Sequence, residues 1–426
     1  MKKKKIIPLL IIFLLLISTT TISAISIQKQ TKKLQKTNEK TEANTFSPSW
    51  VKFWDEKNVS IPGCSVLYQN NIYVVIEIEY TENDRCLAIL KYNANGDLLE
   101  TNIFEDVEIS VYDLTECQGF LYLTGRYIKQ EGDATIKYNP NTRSITKTST
   151  VFTEKRRSAF SNQIVTDGNN IYVAGRLYTF EEEHTYTSDF FIIKYDVDLN
   201  EQWNITWGDE DDGDNPHLAY YDNHLYFCGI FEGDKETYIQ LEKRNAENGE
   251  QIWSKELRNI ESVSNIACYD GFIYIVYDGL LVSTILKYDT DGKLKVKGTF
   301  DFVKQTFTST RDLIVKDGVL YLCAVGLIIK DLTSGDVRGR VLLIKFDTDE
   351  LTESGRGTWS ASKYDQPFNI HIDENGYLYV SGNSFQKLFL IKHDKNSLAK
   401  EKHITKNFNN LLNILLNRLK LPKLFF

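Results

Sequence analysis

The chain has 426 residues, of which 42% are hydrophobic and 25% charged, and its formal net charge is −8. That balance is enough apolar matter for a folded core and excludes a chain that is disordered throughout. The acidic excess argues against nucleic acid and anionic membrane as partners, because both carry the same sign of charge.

Met1–Ala24 reads as a secretory signal peptide. Lys2–Lys5 form the positive region, Ile6–Ile17 the apolar run, and Ser23-Ala24 a small-residue cleavage site. The apolar run is short for a membrane span. The expected location is therefore outside the cell or on its surface. Cleavage would remove four lysines and no acid, and the net charge would move from −8 to −12. Residues 25–47 are rich in Lys, Gln, Thr, Asn and Glu and read as a disordered spacer. Trp50–Trp54 then looks like an orphan outer strand, similar to Gln202–Trp207 further on. Such a strand would close a ring by completing the last repeat and hiding the exposed edges. Leu398–Ile404 competes for the same place, and Trp50–Trp54 is favoured.

From there a repeat dominates. An apolar–Tyr pair recurs at Ile72-Tyr73, Leu121-Tyr122, Ile171-Tyr172, Leu225-Tyr226, Ile273-Tyr274, Leu320-Tyr321 and Leu378-Tyr379. A second signature follows in phase: Lys91-Tyr92-Asn93, Lys137-Tyr138-Asn139, Lys194-Tyr195-Asp196, Lys287-Tyr288-Asp289 and Lys345-Phe346-Asp347. Lys243-Arg244-Asn245 and Lys392-His393-Asp394 are degenerate copies. The Tyr anchors lie on the order of 50 residues apart, the length of one propeller blade. Turn pairs such as Asp167-Gly168, Asp270-Gly271 and Asp317-Gly318 precede the anchors. The predicted fold is all-β: a seven-bladed β-propeller of four-stranded antiparallel blades over 48–405, with strands a to d running outward in each blade. Residues 406–426 are expected to form a short amphipathic helix, with Leu411, Leu412, Leu415, Leu416 and Leu419 on one face. That helix would cap the propeller, or, on a sharper reading, rest on a membrane surface or a partner.

The six cysteines show no CxxC and no zinc-like spacing. Buried thiols in the blades are the expected state, although an exported chain would permit disulfides.

The pattern D-G-N-x-I-Y-V-x-G … I-K-Y-D … W-x-x-x-W-G-D across Asp167–Asp209 resembles the SBBP-type propeller repeats of bacterial and archaeal secreted or surface proteins. The resemblance implies the fold and says little about function. Asn248–Trp253 in blade 4 is similar to a quinoprotein-type blade. That resemblance implies that Trp203, Trp207 and Trp253 dock blades together, and no cofactor is expected.

Two candidate sites emerge. The loop before blade 4 holds Asp209, Asp211, Asp212 and Asp214, hard oxygen ligands that would suit Ca²⁺; the plainer reading is a solvated acidic loop. Together with Glu181–Glu183 it makes the face of the d–a and b–c loops acidic. The second candidate is a polar ring at the start of the inner strands: Ser65, Asp113, Asn162, His217, Asn265, Asp312 and Asn369, with His371 just below. It would circle the mouth of the central channel, either as solvated lining or as a ligand site. The expected function is a non-enzymatic binding or scaffold module that meets an extracellular protein or polysaccharide. The alternative is an enzyme acting on an extracellular polymer, a glycosidase or lyase, with its site at the channel mouth.

Overall fold

The computed structural model describes residues 45–398, apart from 55–58, 62, 82–83, 128–131, 152–156, 181–185, 209–211, 233–236, 259, 261, 280–281, 302–305, 332–335 and 386. The expected signal segment, most of the spacer and the C-terminal amphipathic helix lie outside the described residues. The chain divides into residues 1–45 and a unit Phe46–Phe426, and only the second is described below. Among the described residues the only helical element is a 3-10 turn at Lys395–Ser397.

The unit is a seven-bladed β-propeller. Six antiparallel sheets follow chain order, and the seventh runs Trp50–Trp54, Lys387–Asp394, Tyr377–Ser384, Asp365–Ile372 from rim to centre. The N-terminal strand thus closes the ring. Trp50 pairs with Lys392 and Trp54 with Leu388. The inner strands are Ser65–Tyr68, Ile109–Cys117, Arg157–Thr166, Asp212–Tyr221, Asn265–Tyr269, Thr306–Lys316 and Asp365–Ile372. They touch in ring order, and that of blade 7 reaches that of blade 1. In blade 1 a further short strand, Val59–Ile61, extends the same edge.

The two sequence signatures are one joint. Each anchor Tyr of strand b lies directly opposite the Lys of strand c: Tyr73 with Lys91, Tyr122 with Lys137, Tyr172 with Lys194, Tyr226 with Lys243, Tyr274 with Lys287, Tyr321 with Lys345 and Tyr379 with Lys392. All seven tyrosines are buried. In blades 2, 3, 5, 6 and 7 the Lys then crosses to the next blade. Lys194 Nζ donates to the Ala246 carbonyl at 3.1 Å, Lys287 to Thr348 at 2.6 Å and Lys392 to Ala94 at 2.9 Å. A cationic donor on a neighbouring blade's turn is a charge-assisted bond, and it ties one blade to the next. In the degenerate copies other side chains fill the aromatic place. Arg244 pairs with Glu242 and lies 4.0 Å from the Trp207 ring; His393 lies against Phe46, ring centroids 4.3 Å apart and planes tilted by 44°.

The core consists of seven apolar clusters, each drawn from two neighbouring blades. Two faces of one sheet cannot be covered by that sheet, so burial demands a neighbour. The outer tryptophans serve the same end. The Trp253 indole N–H donates to the Thr290 carbonyl at 3.1 Å and that of Trp50 to Ala94 at 3.3 Å. Trp203 and Trp253 lie against turn glycines of the next blade, Gly249 and Gly292, whose φ angles are +76° and +77°. All six cysteines are free thiols, five of them buried.

Candidate functional site

A cavity of about 780 Å³ occupies the middle of the ring. Of the seven ring residues expected from sequence, Ser65, Asp113, Asn265, Asp312 and Asn369 line it, and so does His371. Strand register corrects two of the seven places, in blades 1 and 3. In blades 2, 4, 5, 6 and 7 the ring residue pairs with the second residue after the anchor Tyr: Asp113 with Thr124, His217 with Cys228, Asn265 with Val276, Asp312 with Cys323, Asn369 with Ser381. In blade 3 that place belongs to Gln163, opposite Ala174, and Asn162 is the extra residue of a β-bulge. In blade 1 Cys64 holds it, bonded to the Val75 N–H, and Ser65 is one step on. His217 keeps the register but lies outside the cavity wall.

The ring is a belt of blade-to-blade clasps. Asp113 accepts from its own neighbour, the Leu114 N–H at 2.9 Å, and from the Ile164 N–H of blade 3 at 2.9 Å. Asp312 repeats the pattern with Leu313 at 2.8 Å and Ile370 of blade 7 at 3.0 Å. Asn369 accepts from the Ser65 N–H of blade 1 at 2.9 Å. Asn265 accepts from the Ile266 N–H at 2.7 Å and donates to Asp312 at 3.0 Å. Inner-strand edges carry N–H groups that need partners, and these short polar side chains supply them. Burial pushes the Asp113 carboxyl up to about 7, against its two N–H donors, with the Asp312 charge adding to the rise. Burial likewise pushes Asp312 up to about 6.

His371 and Ser65 form a separate pair. Ser65 Oγ lies 2.9 Å from His371 Nε2 and 2.8 Å from Ser381 Oγ. The spacing is that of a nucleophile and its base. Yet Ser65 is only 3% exposed, and its hydroxyl is shared between two partners. Burial drives the His371 pKa down to about 4.

A second ring lies one residue earlier, and the sequence reading missed it. Tyr112, Arg311 and Phe368 are the bulged residues of their inner strands and line the cavity. A bulge re-aims its side chain, here into the channel. In blades 2, 3 and 7 a signal for the bulge is the glycine three places after the anchor Tyr; in blade 6 Ala324 stands there, opposite Thr310. A Cβ on Gly125, Gly175 or Gly382 would come within 2.0, 2.2 or 2.3 Å of the carbonyl oxygen of Ser110, Phe160 or Gln366, so only glycine accepts the bulged strand there.

Among the described residues the face around the mouth carries cations. At the b–c ends of blades 2 and 3, Arg126 lies 4.1 Å from the Phe160 ring and Arg176 lies 5.4 Å from that of Tyr178. Glu77 of blade 1 is buried and lies 3.6 Å from Arg85. Asp209 and Asp211 lie outside the described residues. Asp212 and Asp214 sit on the backbone of the blade 4 inner strand, opposite Glu232 and Ile230, and their side chains are outside the described residues too. Glu181–Glu183 are likewise outside them. Among the described residues no cluster of His, Cys, Asp and Glu could hold a metal ion.

No family model and no curated protein matches the chain. Solved structures do. The chain is similar to Kuenenia stuttgartiensis hydrazine synthase, with a TM-score of 0.51 at 10% identity over 83% of this chain and 98% of that one. It is also similar to BamB from Moraxella catarrhalis (TM-score 0.44, 10% identity, 81% and 99% covered) and to the polysaccharide lyase Uly1 (0.43, 12%, 73% and 93%). These likenesses speak for the fold alone.

Proposed function

We propose that this chain is an exported, non-enzymatic propeller that binds an extracellular partner at the mouth of its central channel. One observation carries the reading. The polar groups placed to do acid–base work, Asp113 and Asp312, have their oxygens filled by backbone N–H groups of two blades. A general acid or base must reach the proton it moves. These carboxylates hold the ring together, and what is left facing the cavity is recognition chemistry. Export is supported by the basic and apolar start of the chain and by the likeness of its repeats to SBBP-type surface proteins. The thiols fit that setting: burial raises the pKa of Cys64 and Cys323, which keeps them from the reactive thiolate form.

The test is to incubate the protein with extracellular acidic and neutral polysaccharides and follow both retention and chain length. Retention with unchanged chain length is expected. Shortening of a polymer, abolished by Asp113→Asn or Ser65→Ala, would overturn the reading in favour of a glycosidase or lyase.

A further inference from the structure

The cavity wall divides its polar groups unevenly. Most of its acceptors are used: Asp113, Asp312, Asn265 and Asn369 all take backbone N–H bonds, while Glu77, with Arg85 3.6 Å away, keeps one buried oxygen without a hydrogen bond. Its cation is not. Arg311 lines the cavity, half-buried, and its Nε is shielded from solvent and without a hydrogen-bond partner. No ion pair engages it among the described residues. An N–H withdrawn from water without a partner is a cost to the fold. The bulge between Thr310 and Asp312 is what turns it into the channel. Tyr112, 45% exposed, and Phe368 line the same cavity and offer aromatic surface.

We infer that Arg311 is the anchor for a carboxylate, and that the cavity takes the uronic-acid unit of an acidic polysaccharide. This rests on the binding reading above and names its ligand class. The guanidinium fork matches a carboxylate with two parallel bonds. The aromatic rings argue for an organic body behind the charge rather than a bare anion. A peptide terminus fits less well. Its N–H groups only donate, and most of the side-chain acceptors are already filled. Sugar hydroxyls both donate and accept, so they adapt to such a wall. The volume of about 780 Å³ lies in the range of small-ligand sites.

The test is calorimetric titration of the full chain with D-glucuronate, D-glucose and N-acetylglycine, on the wild type, Arg311→Gln and Arg311→Lys. Glucuronate is expected to bind, and glucose to bind about tenfold more weakly or less. Arg311→Gln should lose about tenfold in glucuronate affinity, with Arg311→Lys in between, since an ammonium keeps the charge but not the fork. The Arg311→Gln protein should melt no lower than the wild type, because it sheds an unpaired charge. Equal binding of glucose, unaltered binding by Arg311→Gln, or no heat from glucuronate would each overturn the carboxylate anchor. Tighter binding of N-acetylglycine would move the ligand to peptide termini and overturn the sugar. A lower melting temperature for Arg311→Gln would make the guanidinium a structural group and overturn the site. All of these leave the binding reading standing unless the polysaccharide assay also shows chain shortening.

Discussion

Six of the seven blade junctions differ from the one that closes the ring. One step past the belt, the inner strands of blades 2 to 7 carry Leu114, Ile164, Leu218, Ile266, Leu313 and Ile370, all buried. Blade 1 carries Ser65 there, facing His371 and Ser381 of blade 7. The six aliphatic junctions gain stability from burial and could accept any neighbouring blade of similar shape. The closing junction adds hydrogen bonds that are satisfied only when blade 7 meets blade 1. Buried polar groups of this kind favour one pairing over its competitors more than they add stability. In a chain of near-identical repeats, that selects seven blades over a ring closed one blade early.

The closing junction also depends on a strand from the far end of the chain, and the largest effect is expected there. Trp54 is 5% exposed in the cluster shared by blades 7 and 1. Trp54→Ala should cost ~3–5 kcal/mol, as for other buried aromatic truncations. Deleting Trp50–Trp54 should do more, because it also bares the edge of Lys387–Asp394 to other chains. Thermal melts and size-exclusion chromatography would read both. A deletion variant that stays monomeric with an unchanged melt would break the idea that closure is special.

An ordinary junction gives the next effect. Leu313, 6% exposed between blades 5 and 6, should lose ~2–5 kcal/mol on Leu313→Ala, by lost burial and the cavity left behind. At the closing junction the matching change, Ser65→Ala, removes few apolar contacts but leaves His371 Nε2 without its hydrogen-bond partner. The expected loss is ~1–3 kcal/mol. The double variant Ser65→Ala with His371→Val should recover most of it, since Val165 already stands at the place of His371 in blade 3. Chemical denaturation of the three variants would sharpen the comparison. A double variant as weak as the sum of its parts would mean that the polar trio carries stability and not pairing choice.

Much of this fold was legible in the sequence, because the Tyr and Lys signatures are the joint itself. Tyr172 and Lys194 recur as a pair since cross-strand register and the neighbouring turn both need them. Trp50–Trp54 was legible too, as a strand without a blade of its own. The site was half legible. A polar residue in every blade pointed to the belt, but counting from the Tyr assumes that nothing is inserted. The bulge at Asn162 adds one residue in blade 3, and the short inner strand of blade 1 brings Cys64 to the belt position, so two assignments slipped by one place. Polarity alone also could not tell a clasp from a ligand site. That distinction lies in which atoms are already bonded, and only coordinates give it.

The smallest effect separates the belt from the closing junction by pH. Asp113 and Asp312 have folded pKa values raised to about 7 and about 6, above the 3.8 of a free carboxyl. The folded state then binds protons that the unfolded state has lost, so these two groups make stability fall as pH rises from about 4 towards 7, and it levels off above that. His371 acts in the other direction. Its folded pKa is lowered from 6.5 to about 4, so its contribution is intact above pH 6.5 and is lost as pH falls towards 4. On acidification from pH 8, the melting temperature should first rise, because the belt carboxyls and Asp133, which burial likewise pushes up to about 7, take up protons there. Below pH 6.5 the histidine opposes them. Asp113→Asn with Asp312→Asn should reduce the rise to the share of Asp133 and leave the acid loss. An amide serves at this belt position already, since Asn369 makes the same bond to the next blade at 2.9 Å. His371→Val should reduce the acid loss, to which His393 also contributes because burial lowers its pKa, and leave the rise. If the Asn pair kept the full rise between pH 8 and 6.5, the belt carboxyls would not be the groups that titrate, and the two regions would share one pH response instead of two opposed ones.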